Sequence, residues 1–322
     1  MSKFLVTGGA GFIGSHIVKT LVKKGHFIRV LDNFSSGKKE NLAGIIKNID
    51  LIKGDIRSYQ ICKKATRGID FVLHQAALRS VPKSLIKPQD YNAVNIQGTL
   101  NLLQASRANK IKLFVFASSS SIYGDVKTFP EKEDFLPQPI SPYALTKLTA
   151  EHYCRIFSYH YGLPTVSLRY FNVFGPRQAV DDEYAVVIPK FITCMLRDES
   201  PPIYGTGRQS RDFTYVDNVV NANLLAVQKF SPRISGIPQN AGEGEVFNIA
   251  SGRDYSILEL VNILNKIMHK GIKPKFWRAR PGDVFRTCAG LSKSKKILGF
   301  RPKIDFIEGL KLTLEYFKEK NA

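Results

Sequence analysis

The sequence predicts an α/β fold: a doubly wound parallel sheet with a smaller, discontinuous lobe. Three observations predict it. Short β-branched and aromatic runs alternate with amphipathic segments, the pattern of parallel strands covered by crossover helices. A glycine-rich turn, Thr7-Gly8-Gly9-Ala10-Gly11-Phe12-Ile13-Gly14, joins the first such run to the first amphipathic segment. The length of 322 residues is enough for one large α/β domain or for a domain with an added lobe.

The elements follow in order. A strand over Phe4 to Thr7 feeds the glycine turn, which opens a helix over Ile13 to Lys24. Strands over Ile28 to Asp32 and Asp50 to Lys53 each end on polar residues, Asp32-Asn33 and Gly54-Asp55-Ile56. A short helix over Ile61 to Thr66, a strand over Phe71 to His74, a helix over Asn95 to Asn109 and a strand over Leu113 to Ser118 continue the alternation. Ser141-Pro142 is a helix start, so Pro142 to Tyr161 is helical, and Thr165 to Tyr170 is the sixth strand. Beyond about Gly175 the alternation weakens. Two strand-like returns, Phe213-Thr214-Tyr215 and Val246-Phe247-Asn248-Ile249, flank less regular segments, and Ser231 to Gly244 reads as a surface loop. Residues 1–175 are therefore assigned to a nucleotide-binding domain with returns near 213–230 and 245–251, and residues 176–322 mainly to a substrate lobe.

Composition narrows the class. The 43% apolar content contains no run near ~18 residues, which argues against a membrane span. The chain enters an apolar strand directly after Met1-Ser2-Lys3, which predicts a cytoplasmic protein without a cleaved signal. Cys62, Cys154, Cys194 and Cys288 lie far apart with no Cys-x-x-Cys pair, so neither disulfides nor a metal site is expected. The net charge of +20 is spread in ones and twos along the chain with no nucleic-acid-binding signature. It predicts a lysine-rich solvated surface that attracts anionic substrates, with no nucleic-acid or membrane partner.

The glycine motif follows a strand and opens a helix, the context in which such a pattern binds a dinucleotide. Gly8, Gly11 and Gly14 let the backbone approach a pyrophosphate, which the helix N-terminus through Phe12 and Ile13 then stabilises. Asp32, ending the second strand, is placed to accept both adenosine ribose hydroxyls and to repel a 2′-phosphate, so NAD is expected over NADP. Asp55 and Ile56 are expected at the adenine. Further along, Tyr143 and Lys147 lie one helical turn apart on one face. A phenol with an ordinary pKa near ~10 is a poor base, but an adjacent ammonium and a cationic nicotinamide favour its phenolate.

The stretches TGGAGFIGSH, HQAA, FASSSSIYGD, SPYALTK, LRYFNVFGPRQ, QSRDFTYVDNVV, FNIASG and RARPGD run through nearly the whole chain. Together they make the sequence resemble the extended short-chain dehydrogenase/reductases, and within them the UDP-hexose and UDP-N-acetylhexosamine 4-epimerases. The resemblance implies a tightly held NAD, with Asn33, Gln75, Ala76, Ala77 and Tyr170 joining the residues above at the cofactor. It implies Tyr143 as base supported by Lys147, and Ser119, five residues before Gly124, hydrogen-bonding the reacting sugar oxygen. Hydride then leaves C4 for NAD, the 4-keto sugar rotates, and hydride returns to its other face. A homodimer through paired helices including Pro142 to Tyr161 is also implied.

Similar dehydratases carry Asp and Glu after the catalytic hydroxyl, and similar decarboxylases keep the Glu; here these positions are Ser120 and Ser121. Elimination then lacks an acid and a base, and reversible oxidation at C4 remains. For the UDP-sugar, the resemblance implies Asn172, Arg211 and Arg280 on the pyrophosphate and Asp283 on the uridine ribose, with Tyr204 at the uracil and Ser80, Ser120 and Val187 around the substrate. Thr287, four residues after Asp283, stands where restrictive epimerases carry tyrosine, which implies room for an N-acetyl group. Arg79 stands where the hexosamine epimerases often have glycine, and a cation there leaves a UDP-uronic acid as the alternative substrate. A regulatory NAD-binding protein without turnover is the alternative of another class; turnover of any UDP-sugar pair separates the two.

Overall fold

Seven parallel strands form the central sheet of the protein, seen in a computed structural model that describes residues 1–180, 187–231, 243–279 and 284–321. The chain begins β1 (Lys3–Thr7), α1 (Phe12–Lys23), β2 (Phe27–Asp32), β3 (Asp50–Lys53), α2 (Tyr59–Thr66) and β4 (Phe71–His74). It continues α3 (Val81–Ile86), α4 (Pro88–Tyr91), α5 (Gly98–Ala108), β5 (Leu113–Ser119), α6 (Pro142–Tyr161), β6 (Thr165–Tyr170) and β7 (Val173–Phe174). The remainder is α7 (Val187–Leu196), β8 (Pro202–Tyr204), β9 (Ser210–Asp212), β10 (Thr214–Tyr215), α8 (Val216–Phe230), β11 (Glu243–Ile249), β12 (Asp254–Ser256), α9 (Ile257–Met268), β13 (Lys275–Trp277) and α10 (Phe306–Asn321).

Strand order in the sheet is β11-β6-β5-β4-β1-β2-β3. Alternation of side chains along each strand divides the core into two layers. Phe4 and Val6 of β1 pack with Ile17, Val18 and Leu21 of α1 and with Val219 and Ala226 of α8. Leu5 points the other way, into a layer with Cys62 of α2, Leu102 of α5 and Ala150 of α6. Because both faces are covered, the strands are continuously apolar, which is why they are legible in the sequence.

The structure departs from the sequence reading in three places. Both expected returns reach the main sheet, the second as β11 pairing with β6 up to Ile249 opposite Tyr170, and the first through α8, whose Val219 and Ala226 pack on it, but not through its strand. The first, β10, pairs with β7 in a separate two-stranded sheet. Phe213 before it and its own Tyr215 bury against Phe174 and Phe306 in a separate hydrophobic cluster, with Phe213 and Phe306 stacked at 5.1 Å, so the strand serves that core instead. The segments expected to be irregular after Gly175 include helices α7, α9 and α10, which pack together there. Ser256 and Glu259 close a reciprocal capping box on α9, a start signal that was available in the sequence. Finally, the helix expected from Asn95 begins as a wide π turn over Asn92–Gln97 before α5. Among the described residues no helix is long and apolar enough to cross a membrane.

Candidate active site

Strand β1 has β2 on one side and β4 on the other, so the chain leaves it in opposite directions and opens a crevice at the carboxyl ends of the strands. The cleft there is lined by Gly8, Gly11, Phe12, Ile13 and Gly14 after β1, Asp32 and Asn33 after β2, and Asp55 and Ile56 after β3. Gln75, Ala76 and Ala77 after β4, Tyr143 and Lys147 on α6, and Tyr170 of β6 complete the wall. Every residue expected at the cofactor thus lies on one surface.

The glycine turn is shaped for close approach. Gly8 has φ +65°, and a Cβ on it would stand 2.8 Å from the Ala76 amide nitrogen. The N-cap of α1, Gly11, offers no side-chain cap, and the first turn carries no acid, so the helix start is left positive and open to an anion. Asp32 Oδ2 accepts from Ala10 N at 2.9 Å and Oδ1 from Phe34 N at 2.8 Å. The carboxylate therefore shapes the turn and faces the cleft at once. Asn33 Nδ2 donates to Asp55 Oδ2 at 2.9 Å, while Arg57 Nη2 and Nε grip the same carboxylate at 2.8 and 3.0 Å and hold its pKa down at about 2. The Tyr170 hydroxyl donates to Gln75 Oε1 at 3.3 Å and accepts from Asn223 Nδ2 at 2.8 Å. Burial pushes the Tyr170 phenol up to about 12, so it serves as a hydrogen-bonding group.

On α6, the Ser141 side chain accepts from Ala144 N and fixes the helix start, which sets Tyr143 and Lys147 against the end of β5. The Lys147 ammonium is buried, donates to the Ala117 carbonyl at 2.8 Å and lies 4.9 Å from the Phe116 ring centroid. Burial lowers its pKa to about 8. Burial also raises the Tyr143 phenol, and the nearby Ser119 hydroxyl and the charge of Arg79 oppose the rise. Helical spacing puts Lys147 one turn from Tyr143 on the wall of the same cleft, with one ammonium hydrogen bond to the Ala117 carbonyl. Glu151, two turns along the helix, accepts from Ser118 Oγ and, through both oxygens, from Arg169 at 3.0 and 2.9 Å. That acid is occupied.

The substrate-side residues are more dispersed, and of them only Arg79 lines the cleft among the described residues. Ser119 Oγ accepts from Ser121 N at 3.2 Å, and Ser120 opens the short helical turn Ser120–Tyr123. Ser80 caps α3 through Lys83 N. Asn172, at φ +32°, donates from Nδ2 to Thr287 Oγ1 at 3.0 Å and to the Asp212 carbonyl at 3.1 Å. Thr287 is held in turn by main-chain bonds to Ser210 and Asp212 of β9. Arg211 Nη1 donates to the carbonyls of Ser210 and Phe285 at 2.8 and 3.2 Å. Tyr204 ends β8 opposite Trp277 of β13, and Val187 opens α7. Arg280 and Asp283 lie outside the described residues.

Sequence reasoning missed several groups. Asn223 on α8 has no motif to mark it, whereas Ser35, Ser36, Gly37 and Lys38 on the cleft directly follow the Asp32-Asn33 turn and were within its reach. Glu131 is buried with neither carboxylate oxygen hydrogen-bonded, and burial, with the nearby Asp212 charge, pushes its pKa up to about 8.

Residues 4–250 match the model of the NAD dependent epimerase/dehydratase family. A putative UDP-glucose 4-epimerase of Methanocaldococcus jannaschii is 37% identical over 320 residues, 98% of this chain and 99% of that protein. The crystal structure of UDP-glucose 4-epimerase from Thermotoga maritima with UDP-glucose is similar at a TM-score of 0.92 and 40% identity, covering 99% of this chain and 100% of the other. The UDP-N-acetylglucosamine 4-epimerase of Methanobrevibacter ruminantium, in complex with UDP-N-acetylmuramic acid, is similar at a TM-score of 0.91 and 41% identity, covering 99% of each chain.

Proposed function

The chain belongs to the NAD dependent epimerase/dehydratase family and is an NAD-dependent UDP-sugar 4-epimerase, and from that premise we propose that it interconverts UDP-N-acetylglucosamine and UDP-N-acetylgalactosamine, with UDP-glucose and UDP-galactose as further substrates. The observation that carries the reaction is the placement of Tyr143 and Lys147 on the wall of a dinucleotide-shaped cleft, with Ser119 ending β5. The glycine turn, with no room for a Cβ at Gly8, the open start of α1 and the Asp32 carboxylate fit the pyrophosphate and ribose of NAD. When bound, NAD supplies a reversible two-electron acceptor for the sugar C4.

The protein's own part is proton transfer and orientation. Tyr143 takes the proton of the 4-hydroxyl and gives it back, and Ser119 steadies the same oxygen. Lys147 secures the end of β5 through Ala117, and Gln75 with Asn223 holds Tyr170 at the opposite wall. With Ser120 and Ser121 beside the hydroxyl and Glu151 committed to Arg169, the site offers no free carboxylate for elimination among these residues.

Because the reaction regenerates NAD without exchange, the cofactor is expected to co-purify. Mass spectrometry of the denatured protein should find NAD, and NADP as the dominant species would overturn the reading of Asp32.

The substrate reading rests on Thr287, a small side chain beside Asn172. Thr287→Tyr is expected to abolish turnover of the N-acetylated pair while UDP-glucose and UDP-galactose are still interconverted, because the ring takes the space of the acetamido group. Thr287→Val, which keeps the size and loses the hydroxyl that Asn172 uses, serves as control. Equal slowing of both pairs by tyrosine would remove the gatekeeper role.

A further inference from the structure

After β7 the chain leaves the strand ends through Gly175-Pro176-Arg177 and passes alongside α1. The Pro176 carbonyl accepts from His16 Nε2 of α1 at 2.9 Å, which fixes this passage against the helix. Phe12 and Ile13, at the start of α1, pack against the hydrophobic cluster that also holds Phe174. Arg177 comes next with φ +67°, in the left-handed region that a β-carbon disfavours. Its side chain is half-buried and lines the dinucleotide cleft, as do Tyr316 and Lys320 of α10. Arg177 Nη1 donates to the Asn41 carbonyl at 3.1 Å, and Asn41 Nδ2 donates to the carbonyl of Ala10, inside the glycine turn, at 2.8 Å. Two hydrogen bonds thus link the guanidinium to the glycine turn itself.

We propose that Arg177 binds the diphosphate of the dinucleotide, so that the segment leaving the sheet holds the cofactor together with the glycine turn. The inference rests on the reading of the cleft as the NAD site. Arg177 forms no ion pair among the described residues, and the Asp217 carboxylate meets His16 at 3.5 Å instead. A half-buried guanidinium with one hydrogen bond to a carbonyl leaves most of its five donors for an anion. The start of α1 beside it has no side-chain cap and no acid in its first turn, so the same part of the cleft already favours an anion. In NAD that anion is the diphosphate, and the planar fork of arginine matches two phosphate oxygens at once. A left-handed backbone at a residue with a β-carbon is a local cost, of the kind found where a side chain has a ligand to meet.

Exchange of bound NAD for isotope-labelled NAD on the holoenzyme, read by mass spectrometry, measures this hold without turnover. Arg177→Asn removes the cation and tolerates the left-handed backbone, and it is expected to speed exchange at least about tenfold. Arg177→Lys, which keeps the charge and loses the fork, is expected to fall between that variant and the parent. Raising salt from about 0.05 to about 0.5 M should speed exchange more in the parent than in Arg177→Asn, because the contact that salt screens is already gone. Where Arg177→Asn purifies without NAD, titration with added NAD at the two salt concentrations gives the same comparison. Unmoved exchange in Arg177→Asn overturns the proposal. So does faster exchange with the salt dependence of the parent, which would make Arg177 a support of the loop alone. An equal acceleration by Lys320→Gln, on the exposed end of α10, would make the effect one of net charge and overturn it too. Weaker binding of UDP with unmoved exchange would move Arg177 to the diphosphate of the substrate. Failure of the underlying reading is separate: a parent protein that neither carries nor binds NAD removes the NAD site itself, whereas a parent that holds NAD as tightly as Arg177→Asn sinks the role of Arg177 alone.

Discussion

Tyr143→Phe is expected to lower turnover at least about 100-fold, some 2.7 kcal/mol of barrier, while the protein keeps its fold and its NAD. The substitution removes one oxygen. The ring contact with Tyr91 survives in phenylalanine, so the folded state loses little. The reaction, in contrast, loses its proton acceptor. Steady-state kinetics with both substrate pairs, together with NAD content of the variant, provide the check. Turnover within a few-fold of the parent would remove Tyr143 from the role of base. A fall in NAD content matching the fall in rate would reduce it to a cofactor contact.

Glu131→Met is expected to stabilise the protein, and more so as pH rises. Glu131 is fully buried, both oxygens lack a hydrogen-bond partner, and its neighbours include the buried Asp212 carboxylate, itself pushed up to about 6 by burial. The carboxyl keeps its proton in the folded protein up to about pH 8, whereas the unfolded chain releases it near the ordinary value of ~4.5. Between those two points the unfolded state binds fewer protons than the folded one, so the parent loses stability as pH rises and levels off above pH 8. At about 1.4 kcal/mol per pH unit, the gain from removing this titration is at most about 4 kcal/mol at pH 8 and close to nothing from it below pH 4.5. Methionine fills a similar volume without a polar atom. Thermal or urea unfolding of parent and variant at pH 5 and pH 8 would show the difference growing with pH. An equal difference at both pH values would mean that the Glu131 oxygens have a hydrogen-bond partner in solution. Glu131→Gln, which removes the titration and retains an amide needing partners, should recover only part of the gain.

The cofactor side of the site was legible in the sequence because each of its residues is tied to a local signal. Gly8 through Gly14 open a helix directly after a strand, Asp32 closes a strand, Gln75 through Ala77 follow one, and Ser141-Pro142 sets the register that puts Tyr143 and Lys147 on one face. Strand ends of a doubly wound sheet converge, so finding the ends finds the wall of the cleft. The same reading faltered after Gly175, where β10 pairs with β7 outside the main sheet because Phe213 and Tyr215 have aromatic partners in a separate cluster.

By itself, the sequence determined the fold class, the dinucleotide cleft and the face that carries Tyr143 and Lys147. All of these follow from short-range periodicity, turn chemistry and caps, which act within a few residues. Only the tertiary structure decided that the Lys147 ammonium turns to Ala117, that the Tyr91 ring meets Tyr143 edge-on, that Asn172 meets Thr287 and that the Glu131 carboxylate is buried without a hydrogen bond. Asn172 and Thr287 are 115 residues apart, and no local pattern records such a pairing. The direction of a flexible side chain, and the solvent and charge around it, are set by whatever the folded chain brings alongside, and those neighbours come from distant segments.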